Sequence, residues 1–346
     1  MEIINFNLTL VLFFFIFLLI HVCEKFNILI DNNYFKHKNF VNHKNKPPAV
    51  GGVIILTTIL LISQNTILKL ILFGLFLVGI LADLRIVKKT SYRLIIQSIL
   101  IILYILASNI IVQKINFYTF DFFLENKIFS ISFTFICLLV LINGSNFIDG
   151  VNNLLSGYYL LVLCCIFYLK IRSNLIIDIE YYYHLIITLF IIYFFNMFNK
   201  IYLGDSGSYL LSFLVGILLI KLKNQNLENI SVFFIILLLW YPAFENLFSI
   251  LRKIITKKKV YAADSDHIHH LIFCFLKKKL KINNETIVSS LSGNVINLYN
   301  FLIFLLSVNF LNSSKHLVLI IVFNIFLYTF IYYILFLKKI KNKKST

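Results

Sequence analysis

The sequence predicts an all-α, polytopic membrane protein of about eleven transmembrane helices, and three observations predict it. Of the 346 residues 60% are hydrophobic and only 14% are charged, against about a quarter charged in a soluble domain. Mean hydropathy is +0.89. Apolar runs of roughly 17–25 residues recur over the whole length, each long enough to cross a hydrocarbon core of about 30 Å. Three prolines and eleven glycines leave little material for long loops, so residues 1–346 read as a single integral membrane domain.

In chain order the runs fall near 4–23, 48–63, 66–82, 94–112, 128–142, 154–170, 180–198, 206–221, 230–250, 294–311 and 316–337. The first lacks a basic start and a small-residue cleavage site, so it reads as a spanning helix rather than a cleaved leader. An odd number of spans puts the two ends on opposite faces, and Lys and Arg decide which face is cytoplasmic. With the C-terminus inside, segments 24–47, 83–93, 143–153, 199–205, 251–293 and 338–346 carry 24 of the 32 Lys and Arg. That bias predicts a periplasmic N-terminus and a cytoplasmic C-terminus, with 251–293 as the largest cytoplasmic loop. The net charge of +17 is then a topology signal, and basic residues scattered over short loops speak against a nucleic-acid partner. Five cysteines without a CxxC pair read as small buried hydrophobes.

The orientation rests on Lys and Arg alone, yet it gathers the acids too. Asp83, Asp149, Asp205, Glu245, Asp264 and Asp266 fall on the cytoplasmic side with His267, His269 and His270. Ionisable groups at helix ends of so apolar a chain are costly and mark a site.

Five segments carry the chemistry. Lys44 to Leu56 (KNKPPAVGGVIIL) sets paired prolines and glycines at the mouth of a span, which allows close backbone approach. Gly79 to Lys89 (GILADLRIVKK) ends a span on Asp83, a carboxylate suited to Mg²⁺, followed by bases that suit phosphate or anionic headgroups. Leu141 to Tyr158 (LINGSNFIDGVNNLLSGY) spaces Asn143, Asn146 and Asp149 by three residues, with Gly150 and Asn152 after them. On a helical turn that spacing brings polar groups onto one face, either as a pocket or as a capped helix end. Asn199 to Phe213 (NKIYLGDSGSYLLSF) places Gly-Asp-Ser-Gly-Ser at a helix start, where free N–H groups favour anions. Asp205 there would repel a bare phosphate unless a divalent cation intervenes; it also suits an N-cap. Pro242 to Phe273 brings Arg252 and Lys253 before Asp264, Asp266 and the three histidines. Zinc suits adjacent histidines without cysteines poorly; hydrogen bonding to diphosphate oxygens suits them better.

In this order and spacing the five segments resemble the polyprenyl-phosphate N-acetylhexosamine-1-phosphate transferase superfamily over about residues 40–275. The resemblance implies a ten- or eleven-helix fold, a UDP-HexNAc donor, an undecaprenyl-phosphate acceptor in a bacterial inner membrane, and Mg²⁺, with Mn²⁺ as a substitute. The N-x-x-N-x-x-D-G motif falls on Asn143, Asn146, Asp149 and Gly150, and G-D-x-G-S on Gly204, Asp205, Gly207 and Ser208. D-x-x-H-x-H-H falls on Asp264, His267, His269 and His270, and Lys44 sits where the family often has a base near the donor. The implied roles are catalytic for Asp83, Asp149 and Asp205, with the metal on Asp205 and Asp83. Lys44, Asn143, Asn146, Asn152, Arg252, Asp264, His267, His269 and His270 are implied to bind substrate.

The sequence departs from the family at three places. The usual aspartate pair is Ala82-Asp83, a further aspartate is Asn152, and the residue after the first motif's prolines is Ala49. Chemistry tolerates the lost acid: a phosphate monoester with a second pKa near 6 needs no base at pH 7, and the reaction needs mainly charge neutralisation and in-line positioning. The expected reaction is HexNAc-1-phosphate transfer with release of UMP, starting a lipid-linked glycan such as O-antigen. The His-x-His-His form favours that over phospho-MurNAc-pentapeptide transfer. A transporter and an inactive binding member are the remaining readings, and a homodimer stays open.

Overall fold

A computed structural model describes residues 2–30, 47–173, 175–176, 179–257 and 266–344; Lys44 and Asp264 therefore lie outside the described residues. Among those residues helix is the only regular structure and there is no strand. The helices are α1 (Glu2–Phe26), α2 (Gly51–Ile62), α3 (Thr66–Asp83), α4 (Thr90–Ser108), α5 (Tyr118–Leu124), α6 (Lys127–Ile148) and α7 (Leu154–Arg172). They continue as α8 (Ile179–Met197), α9 (Gly204–Gln225), α10 (Val232–Leu238), α11 (Trp240–Ile255), α12 (Ile268–Leu280), α13 (Glu285–Val308) and α14 (Ser314–Lys344).

Every apolar run of the sequence is helical. Seven helices, α3, α4, α6, α7, α9, α13 and α14, are by themselves long and apolar enough to cross a membrane. The expected eleven includes α1, the shorter α2 and α8, and the run 230–250. That last run is not one straight helix: α10 and α11 meet at 72°. Pro242 is the cause. It has no N–H to give the Leu238 carbonyl, and the Tyr158 hydroxyl donates to that oxygen instead at 2.8 Å. Helix starts follow side-chain capping chemistry: Asn65, Asn126 and Asn284 accept from the first-turn N–H groups of α3, α6 and α13.

At the centre stands α9, with 94% of its apolar window buried and α2, α3 and α6 packed around it. It can be central because its neighbours meet it with glycines. A Cβ on Gly52 would lie 2.4 Å from Ser206 Oγ, and one on Gly79 2.2 Å from Ser206 Cα. The outer helices turn Leu70, Phe73, Ile99, Leu103, Leu306, Phe326 and Phe330 outward. So broad an apolar exterior is a surface made for lipid.

Candidate active site

The C-terminus of α3, the N-termini of α4 and α9 and the C-terminus of α6 meet at one end of the bundle, and two of the sequence-predicted acids, Asp83 and Asp205, meet with them. Asp83, last residue of α3, is buried and crosses to the start of α9. Its Oδ1 accepts from the Asp205 N–H at 2.8 Å, and its Oδ2 accepts from the Ser206 N–H at 3.2 Å and hydroxyl at 3.0 Å. Asp83 thus caps the positive end of α9 from another helix. The turn into α9 requires Gly204: its φ is +77°, and a Cβ there would stand 2.8 Å from Asp83 Oδ2.

Asp205 follows, wholly buried. Arg93 of α4 donates from Nη1 to its Oδ2 at 2.6 Å. One turn along α9, the Tyr209 hydroxyl accepts from Asn146 Nδ2 at 3.4 Å, tying the Asn-Asp segment to the same place. Asn143 does not join them; its amide donates to Leu139 O of its own helix at 2.8 Å. Asp149 is half-buried at the C-cap of α6. Asn152 turns the other way, donating to Asn199 Oδ1 at 3.2 Å while its N–H donates to Ser289 Oγ.

Gly150 joins this segment to the histidines. A Cβ on it would lie 2.3 Å from His269 Nε2 and 2.8 Å from His270 Cε1. His269 is wholly buried, stacked on His267 with centroids 5.5 Å apart and 4.1 Å from His270. Burial, then the charges His270 and His267 can carry, hold its pKa well below the usual histidine value. Neither of its ring nitrogens has a hydrogen-bond partner, which for a buried polar group calls for a ligand or water. His267, the N-cap of α12, bonds from Nδ1 to Glu245 Oε1 at 2.8 Å. Arg252 reaches the turn before the histidines: its Nη1 donates to Asp266 O at 2.6 Å and to the Tyr332 hydroxyl at 3.0 Å. It braces the turn that leads into the histidines.

Among the described residues no three His, Cys, Asp or Glu side chains form a metal-binding group. Asp83 and Asp205, hydrogen-bonded through the α9 start, offer carboxylate oxygens and no soft donor. Such a pair fits a hard cation that completes its shell with phosphate and water. Sequence reasoning missed Arg93, Tyr209 and the role of Glu245. Arg93 entered only the topology count, although a lone arginine heading an apolar run is a signal. Glu245 stands inside the run 230–250, where a carboxylate without a partner is expensive.

Residues 65–223 match the family model described as glycosyl transferase family 4. A Thermotoga maritima protein named undecaprenyl-phosphate alpha-N-acetylglucosaminyl 1-phosphate transferase is 26% identical over 234 residues, 66% of this chain and 69% of that one. A Bacillus subtilis protein named "probable undecaprenyl-phosphate N-acetylglucosaminyl 1-phosphate transferase" is 27% identical over 143 residues, 41% of this chain and 40% of its own length. A Prochlorococcus marinus phospho-N-acetylmuramoyl-pentapeptide-transferase is 30% identical over 174 residues, 42% of this chain and 48% of its own. The matches thus span less than half of the Bacillus and Prochlorococcus relatives.

Proposed function

The chain belongs to the polyprenyl-phosphate N-acetylhexosamine-1-phosphate transferase superfamily, and from that premise we propose that it transfers GlcNAc-1-phosphate, or a related HexNAc-1-phosphate, from a UDP donor to undecaprenyl phosphate. An oxygen of the lipid phosphate attacks the β-phosphorus, the new P–O bond forms, and the bond to the α-phosphate's bridging oxygen breaks to release UMP. The product starts a lipid-linked cell-envelope glycan. The protein would lie in the bacterial inner membrane with its N-terminus periplasmic and the site on the cytoplasmic face, a placement that the Lys and Arg bias supports.

One observation carries the reading: Asp83, Asp205 and Arg93 meet at the start of α9 beside Asn146, with the histidines packed on Gly150 of the same segment. Two carboxylates and one guanidinium leave the site negative before two phosphorylated substrates arrive. Asp83 and Asp205 would hold Mg²⁺, which when bound neutralises diphosphate charge and polarises the phosphorus under attack. The chain's own groups do the rest. Arg93 holds the Asp205 carboxylate in one orientation. Asn146, fixed by Tyr209, offers its amide at the rim. His269, held neutral, has two unpartnered nitrogens for donor oxygens or the sugar.

The test is release of UMP by the purified chain from UDP-GlcNAc and other UDP-HexNAc donors with undecaprenyl phosphate and Mg²⁺. No release from any donor, or full activity in Asp205→Ala, contradicts the proposal. The Prochlorococcus relative favours a second reading, phospho-MurNAc-pentapeptide transfer. Competition between UDP-GlcNAc and UDP-MurNAc-pentapeptide separates the two.

A further inference from the structure

Glu245 is wholly buried in α11 and takes no part in the chemistry above. It has two partners. Oε1 lies 2.8 Å from His267 Nδ1, and Oε2 accepts from the hydroxyl of Tyr328 on α14. Oε2 is already an acceptor, and where Oε1 accepts as well the proton in the first bond belongs to Nδ1. Nε2 is then the nitrogen left for another partner, and among the described residues it makes no hydrogen bond. The ring is also held face-on: Phe147 lies 5.5 Å from it on one contact and His269 stacks at 5.5 Å, 13° from parallel.

The same helix that carries Tyr328 secures the turn before His267. Tyr332 accepts from Arg252, and Lys339 Nζ pairs with Asp266 Oδ1 at 2.6 Å. Helix α14 therefore grips the histidine edge at three points, although it lies beyond residue 275, where the motifs end. A buried carboxylate kept between one histidine and one tyrosine costs free energy unless both bonds are made, so the arrangement fixes its members in one geometry.

We propose that Glu245 is a positioning residue. It holds His267 as the Nδ1–H tautomer, Tyr328 locks the carboxylate, and Nε2 is thereby left as a hydrogen-bond acceptor for a hydroxyl of the nucleotide-sugar donor. The proposal rests on His267 being a donor-binding group, and the experiment separates the two ideas.

The full chain, labelled with ¹⁵N-histidine in lipid nanodiscs, reports ring tautomers by NMR, with His267→Asn assigning the His267 signals. Wild type is expected in the Nδ1–H form, and Glu245→Gln, whose amide can accept or donate, in a mixture. In UMP release from UDP-GlcNAc, Glu245→Gln is expected to lose about tenfold in kcat/KM and Tyr328→Phe about fivefold. Because Glu245 acts through His267, Glu245→Gln should add little to the loss already caused by His267→Asn. A wild-type His267 protonated on Nε2, or a full additional loss in the double variant, overturns the proposal. A wild type inactive with every donor sinks the reaction while the ¹⁵N spectrum still decides the tautomer. Should Glu245→Gln fail to fold, Tyr328→Phe decides: a shifted tautomer population supports the proposal, and wild-type tautomer and rate overturn it.

Discussion

Gly79→Ala tests whether close approach of α3 and α9 builds the site. The added Cβ would lie 2.2 Å from Ser206 Cα and 2.5 Å from Ser206 N. Carbon–carbon contacts sit at about 3.5 Å or more, so the helices must part by roughly 1.3 Å, and the obstacle is backbone that cannot rotate away. Asp83 holds the α9 start by bonds of 2.8, 3.0 and 3.2 Å. Parting by that amount breaks all three. Overpacking alone costs about 1–3 kcal/mol, and a catalytic group displaced by about 1 Å can lose about 100-fold in rate. The expected outcome is a lower melting temperature and about a 100-fold fall in UMP release by purified protein. Gly74→Ala on the same helix is the control. Its Cβ meets only the Leu100 side chain, at 2.9 Å, which can change rotamer, so the effect should be slight. Wild-type turnover in Gly79→Ala, or equal damage from Gly74→Ala, would refute the argument that glycine contacts set the carboxylate geometry.

Other perturbations follow from single contacts. Arg93→Gln takes the guanidinium from the wholly buried Asp205 and should cost about 3–5 kcal/mol in thermal melting; adding Asp205→Asn should restore most of the stability and none of the UMP release. Asp83→Asn turns an amide NH₂ or its lone oxygen toward three donors, and a loss of about 1–3 kcal/mol is expected along with activity. Tyr158→Phe leaves the Leu238 carbonyl at the α10–α11 bend without its donor, for a similar loss in melting. His269 sets a pH dependence. Its folded pKa lies well below the usual value, so below about pH 6.5 the unfolded chain takes up a proton that the folded chain refuses. Stability is then flat above that pH and falls as the solution is acidified, by up to about 2 kcal/mol at pH 5. Melting curves from pH 5 to 8 should show this slope, reduced in His269→Gln.

Much of this architecture is legible in one dimension. Hydrocarbon admits only segments that satisfy their own backbone, so each apolar run had to be a helix, and each is. Asn65, Asn126 and Asn284 cap helix starts because a short amide beside a run can accept from first-turn N–H groups. The charged and polar motifs stand at helix ends for the same dielectric reason, which is why Asp83, Asp205, Asn146 and the histidines could be placed at one end of the bundle before any coordinates.

Hydropathy carries no information on which helix end stands beside which, and there the tertiary structure decides. Asp83 reaches Asp205 across 122 residues and Arg93 reaches it across 112, distances closed only by glycines packing α2 and α3 onto α9. The spacing of Asn143, Asn146 and Asp149 promised a shared face, yet Asn143 is taken by the carbonyl four residues back, a local bond that competes with any pocket. The run 230–250 read as one span; that Pro242 would bend it by 72°, with Tyr158 meeting the freed carbonyl, came only with the packing. The last helix read as a plain span, and only packing shows Tyr328, Tyr332 and Lys339 gripping the histidine edge. Local chemistry writes the helices and their polar tips, whereas the pairing of those tips is a property of how buried surfaces fit, which no single stretch of chain contains.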